Sequence, residues 1–112
     1  MPYVTEARVP TRHASRYAAQ LGKHWAHNLA VIEAGNARHI TFPRDARGAS
    51  WAGDAIVTLA PDGDVLVCRI AASEPGQRDG LKGAVERHVD RFAFREDTLT
   101  YDWRDKAQGE KE

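Results

Sequence analysis

The spacing of apolar residues changes character along this chain, and each change marks an element. Residues 4–9, VTEARV, alternate loosely and stop at Pro10, which predicts a strand. The period then lengthens: Ala14, Tyr17, Ala18, Leu21, Trp25 and Asn28 recur at helical spacing, with Thr11 placed to cap a helix running to about His27. The stretch LAVIEAGNA closes on Gly35-Asn36, a turn signal, and RHITF reads as a strand up to Pro43 with Ile40 and Phe42 facing the core.

The clearest local pattern is GDAIVTLAPDGDVLVCRIA, two β-rich runs around Pro61-Asp62-Gly63 that predict a tight hairpin with a bulge. Ala55, Val57 and Leu59 alternate against Leu66, Cys68 and Ile70, so one face is apolar, while Asp54, Thr58 and Arg69 fall on the other. Pro75 follows Ser73-Glu74 as a helix start, and Leu81, Ala84, Val85, His88, Val89 and Phe92 form a second helical stripe ending near Phe92 or Ala93. Leu99, Tyr101 and Trp103 alternate in TLTYDW, which reads as a final strand. The order β-α-β-β-β-α-β predicts an α+β two-layer sandwich, with a mostly antiparallel sheet and both helices on one face. Its other face is left open, with Trp51 near a strand edge, and a homodimer through that face is expected.

Composition narrows the function classes. At 112 residues the chain is one domain, expected over 1–105, with KAQGEKE at 106–112 a mobile polar tail. Sixteen basic and sixteen acidic residues cancel, so no net field draws in nucleic acid. The single cysteine, Cys68, can form neither an internal disulfide nor a thiolate cluster and reads as a buried strand thiol in a reducing compartment. No apolar run approaches the roughly 20 residues that span a bilayer, and the N-terminus MPYVTEARVP is charged, so a cytoplasmic protein without a membrane partner is expected.

Candidate chemistry centres on the histidines of GKHWAHN. His24 and His27 are three apart on one flank of the first helix, close enough for both imidazoles to reach one ion, whereas His13 lies too far upstream. His88 falls in the second helix's apolar stripe, where an imidazole needs a partner, and would complete a three-histidine metal set if the helices lie side by side. In the competing reading these histidines are hydrogen-bonded core residues. Trp25 belongs to the buried stripe, and Arg91 borders the second one, placed to pair with an acidic group or anion. Arg87 and Arg95 read as a solvated face. Gly22, Gly80 and Gly83 weaken their helices, which points to close packing or, less simply, a ligand against bare backbone. No nucleophile elbow, CxxC pair or phosphate-binding loop is present, so no catalytic residue is assigned and the reading leans away from an enzyme.

RYAAQLGKHWAHN and ERHVDRFAFREDTLTYDW together resemble a family of small bacterial proteins catalogued as domain of unknown function 2218. The resemblance runs from Ala7 to Trp103 and falls on Lys23, His24, Trp25 and His27, then on His88, Arg91, Phe92, Phe94, Arg95 and Glu96. Asn28 stands where relatives often carry a basic residue, and Gly22 where cysteine is frequent. In some relatives a similar domain follows a siderophore-interacting flavin domain. The resemblance therefore implies a binding module assisting iron or siderophore handling, with a metal ion or haem as cofactor and a siderophore-interacting flavoprotein as partner. His24, His27, His88, Arg91 and Trp25 are the expected ligand contacts, the three histidines the metal ligands. The alternative is a cofactor-free interaction or homodimerisation domain in which the histidines are structural.

Overall fold

The computed structural model describes residues 2–93, 96 and 99–106. Strand β1 (Tyr3–Pro10) leads into helix α1 (Ala14–Trp25), followed by strands β2 (Ala30–Ala34), β3 (Ala37–Phe42), β4 (Ala55–Asp62) and β5 (Val65–Ala72). Helix α2 (Pro75–Phe92) and a short strand β6 (Arg104–Lys106) complete the chain. The strands form one sheet in the order β2-β3-β4-β5-β1-β6, with every neighbouring pair antiparallel. α1 packs over β3 and β4, and α2 over β5 and β1, so the α+β two-layer arrangement expected from the sequence is the one adopted.

Alternation on the β4–β5 hairpin sets the inner face. Val57 sits opposite Ile70 on one side and Ile40 on the other, Leu59 opposite Cys68, and Cys68 in turn opposite Ala7. All six are fully buried, beneath Tyr17, Ala18, Leu21 and Trp25 of α1 and Val85 and Val89 of α2. Burial also pushes the Cys68 thiol up to about 12, so it stays protonated and unreactive. Arg38 of β3 runs its stem under α1 at Gly22, where a Cβ would lie 2.8 Å from the Arg38 Cγ. A bare backbone at position 22 is what lets helix and sheet approach there.

Several boundaries differ from the sequence expectation. The hairpin turns on Gly63-Asp64 alone, with Asp62 paired directly to Val65 and Gly63 at φ 60°. Pro61 is therefore a strand residue, tolerated because β3 ends before reaching it and asks for no N–H there. Its carbonyl accepts from the Asn36 side chain at 3.2 Å. An additional strand, β2, pairs with β3 across Gly35-Asn36, giving six strands where five are expected. Helix α1 starts at Ala14, because Thr11 Oγ1 accepts the His13 N–H at 3.1 Å and holds the preceding residues in a turn.

The final strand is also displaced. Residues 99–103 pair with no neighbour in the sheet; they run along α2, where the Tyr101 hydroxyl donates to Asp90 at 2.8 Å and Trp103 Nε1 to Glu86 at 2.7 Å. Pairing begins only at Arg104, and Lys106, expected to start the polar tail, is the last residue of β6; residues 107–112 lie outside those described. Asp105 of β6 meets Lys82 at 2.8 Å and Arg78 at 3.4 Å, which ties the edge strand to α2.

A second tie joins the start of α1 to the residues after α2. Glu96 Oε2 accepts from the Tyr17 hydroxyl and, at 2.9 Å, from the Thr11 hydroxyl. Burial, reinforced by Glu96, pushes the Tyr17 phenol up to about 12, while the Tyr17 hydrogen bond holds Glu96 below the ordinary carboxylate value. A depressed folded value means that the charged carboxylate stabilises the fold above the unfolded pKa and ceases to do so as pH falls through the folded one. Glu96→Gln is expected to melt about 5 °C below wild type at neutral pH, allowing for its partial exposure. Thermal denaturation followed across an acid series checks this: the gap should close below the ordinary carboxylate range, and a pH-independent gap would contradict the linkage.

Candidate functional site

A cavity of about 430 Å³ opens where the C-terminal turn of α1, the middle of α2 and the β3–β4 connection meet. Its apolar walls come from Trp25, Leu29, Phe42, Trp51 and Leu81, and its polar groups from His24, Gln77, Arg87 and His88 among others. Trp25, the last residue of α1, turns its ring edge to Phe42 with centroids 5.4 Å apart and lies 4.9 Å from the His88 ring. His24 stands 5.5 Å from His88 and 6.0 Å from Phe92. One wall is thus an aromatic cluster shared by both helices.

The opposite wall is built by residues 43–54. Trp51 N–H donates to the Arg44 carbonyl at 3.0 Å, and Arg44 N–H to Asp54 Oδ1 at 2.9 Å, closing the connection on itself. It is then fastened to α2. Ala52 N–H donates to Glu74 Oε2 at 2.6 Å, and the Gln77 amide donates to the Gly53 carbonyl at 2.9 Å while its oxygen accepts the Ser73 N–H at 2.8 Å. The Ser73 hydroxyl accepts the Gly53 N–H at 3.0 Å. Gln77 is only 4% exposed, so this network is the condition on which its amide is buried.

Two glycines of α2 face this wall. A Cβ at Gly76 would lie 3.1 Å from the Trp51 ring, so the indole rests on helix backbone there. A Cβ at Gly80, one turn on, would meet nothing within 4 Å, because Gly80 borders the empty volume. Trp51 accordingly packs on the helix side of the sheet, contrary to the expectation that it lends the open face its stickiness.

The imidazoles differ in their contacts. His88 Nδ1 lies 2.6 Å from the Ala84 carbonyl, which can only accept, so Nδ1 donates to it; in the tautomer with a single ring proton the lone pair is then on Nε2. Burial holds His24 below the ordinary histidine value, helped by the basic groups His88, Arg91 and His27 nearby. His24 is therefore neutral at pH 7.

Of the residues singled out in the sequence, His24, Trp25 and His88 come together at the cavity, while His27 and Arg91 are exposed and outside its lining. The reason is local: α1 ends at Trp25, and the N–H groups of His27 and Asn28 bond back to His24 and Trp25 in a tighter turn, so His27 leaves the helical flank. Among the described residues no three histidine, cysteine or carboxylate side chains are grouped to hold a metal ion. Phe94 and Arg95 lie outside the described residues. Sequence reasoning missed Gln77 and the place of Trp51 in the cavity wall; Arg87, expected on a solvated face, is exposed and borders the cavity. The available signal was Gly76 and Gly80, four apart on one side of a helix, with an unassigned tryptophan upstream.

Among the described residues no helix is long and apolar enough to cross a membrane. The fold is similar to the NMR structure of PA4090 from Pseudomonas aeruginosa, with a TM-score of 0.69 at 22% identity over 91% of this chain and 95% of that one. A comparison with curated proteins gives no significant match. Residues 6–104 match the profile of the family described as an uncharacterized protein conserved in bacteria, carrying both histidine-bearing segments and every wall of the cavity within the matched span. The chain belongs to this bacterial family, domain of unknown function 2218.

Proposed function

We propose that this protein is a binding module for a planar aromatic organic acid, held in the cavity between the two helices and the β3–β4 connection. The observation that carries the reading is the pairing of an indole-lined cavity with one unengaged cation. Small-molecule sites run from ~300 to 1,000 Å³ and are mostly apolar with a few placed polar groups, and a cavity of about 430 Å³ with Trp25, Phe42 and Trp51 fits that class. Arg87, an exposed residue on the cavity's rim with one guanidinium nitrogen over Gly83, makes no hydrogen bond or ion pair among the described residues and is within reach of an acidic group entering there.

The iron-handling role implied by the family resemblance takes a particular form here. Two imidazoles without a carboxylate or thiolate are a poor set for a bare ion. An aromatic chelator would bring its own ligands and offer rings to the indoles, so the module would receive a chelate rather than strip a metal. Titration with naphthoate, read by tryptophan fluorescence, tests the reading. Trp51→Ala should weaken naphthoate at least about fivefold, since an aromatic contact contributes ~1 kcal/mol beyond burial. Ferric or zinc ions alone should bind wild type no better than a His24→Ala, His27→Ala variant. Equal naphthoate affinity in wild type and Trp51→Ala would remove the basis of the proposal.

One observation favours a second role for the other side of the sheet. Ile32 and Ile56 are 65% and 44% exposed on the uncovered face, a footing for homodimerisation. In sedimentation equilibrium, an Ile32→Asp, Ile56→Lys variant should then be monomeric where wild type is dimeric; a monomeric wild type at high concentration would dismiss this reading.

A further inference from the structure

The cavity's aromatic wall presents an acceptor without a donor. Ala84 occupies the Nδ1 side of His88, which leaves Nε2 as its unengaged nitrogen in a ring that lies beside Trp25 and His24. No hydrogen bond reaches Nε2 among the described residues, and the His24 ring has only ring contacts. Of the amides lining the cavity, that of Gln77 is committed to Gly53. Arg87 is donor-only and lines the same cavity. Among the described cavity residues, Nε2 of His88 and the ring nitrogens of His24 are thus without a hydrogen-bond partner beside Trp25 and Phe92, with the exposed Arg87 at the rim.

We infer that the ligand is a hydroxylated aromatic acid, its phenol-type hydroxyl donating to Nε2 of His88 and its acidic group meeting Arg87; this rests on reading the cavity as an aromatic-acid site. A hydroxyl is required because a ligand offering only acceptors leaves the imidazole lone pair unmatched in a partly desolvated site. An ether oxygen in the same place would face the lone pair with one of its own. The neutral state of His24 fits the same assignment, because it adds no charge that would hold a second anion in preference to a hydroxyl.

The test compares hydroxynaphthoate, its methyl ether methoxynaphthoate, and unsubstituted naphthoate, each titrated into wild type and into His88→Phe, which keeps a ring beside Trp25 but has no acceptor. Hydroxynaphthoate should bind wild type about tenfold more tightly than either of the others, the equivalent of ~1.4 kcal/mol, and His88→Phe should bind all three alike. If His88→Phe fails to fold, the Nε2 nitrogen resonance of wild-type His88 should move with hydroxynaphthoate and stay with methoxynaphthoate. Equal affinity of wild type for all three acids would overturn the hydroxyl assignment and leave the cavity reading standing. A hydroxyl preference that survives in His88→Phe would overturn the assignment to His88. Binding of none of them would overturn the cavity reading and this inference together.

Discussion

Burial of one face of the β4–β5 hairpin beneath two helices is the constraint from which the rest of the structure follows. Val57, Leu59, Leu66, Cys68 and Ile70 are wholly removed from water, and each such side chain contributes on the order of 2 kcal/mol on transfer. Among the described residues two α-helices cover a sheet of six strands. They cover the middle of the sheet and leave its edges to other devices. β2 is mostly exposed and held by pairing with β3, while β6 depends on Asp105 meeting Lys82 and Arg78 across to α2.

The cavity is a product of the same shortage of cover. α1 ends at Trp25 and the chain turns away, so the inner-face residues Val31 and Phe42 are only partly covered. The β3–β4 connection folds over this end of the layer and is fastened to the start of α2 through Ser73, Glu74 and Gln77. Where the connection meets α2, Gly76 accepts the Trp51 ring; one turn later Gly80 leaves the space unfilled. Helix interiors lose ~1 kcal/mol at each glycine relative to alanine. Position 80 carries that cost without closer packing in exchange, which sets it apart from Gly76 and from Gly22, where a side chain of the fold occupies the room. His24 and His88 meet across the two helices within one aromatic cluster with Trp25 and Phe92.

What could be read from the sequence was what has a short period. The two faces of the hairpin, the stripes of both helices and the α+β class all rest on repeats of two or of three to four residues, and they survive in the structure. β2 escaped because Ala30, Ile32 and Ala34 point to the uncovered face and only Val31 is partly buried, so no polar-apolar contrast marks it. Leu99, Tyr101 and Trp103 do share a side, but partners contributed by α2, Asp90 and Glu86, turn the segment toward the helix; alternation alone does not say which surface it faces. The meeting of His24 with His88 was legible as a conditional, since both sit on helical stripes. Their separation from His27 was not, because it depends on the turn at which α1 stops. Trp51, Gln77 and Arg87 became visible only when residues far apart in the chain were brought to one place.

The enclosure of the cavity by Trp51 on one side and the Trp25–His88 cluster on the other is the feature that any binding role requires. Nuclear Overhauser contacts in the free protein measure it directly. Contacts from the Trp51 indole to the Gly76 α-protons, together with contacts from the Trp25 indole to the His88 ring, are the expected result, given separations of 3.1 Å to the Gly76 Cβ position and 4.9 Å between ring centroids. Trp51 contacts to Ile56 on the uncovered face, with none to α2, would contradict the existence of the site.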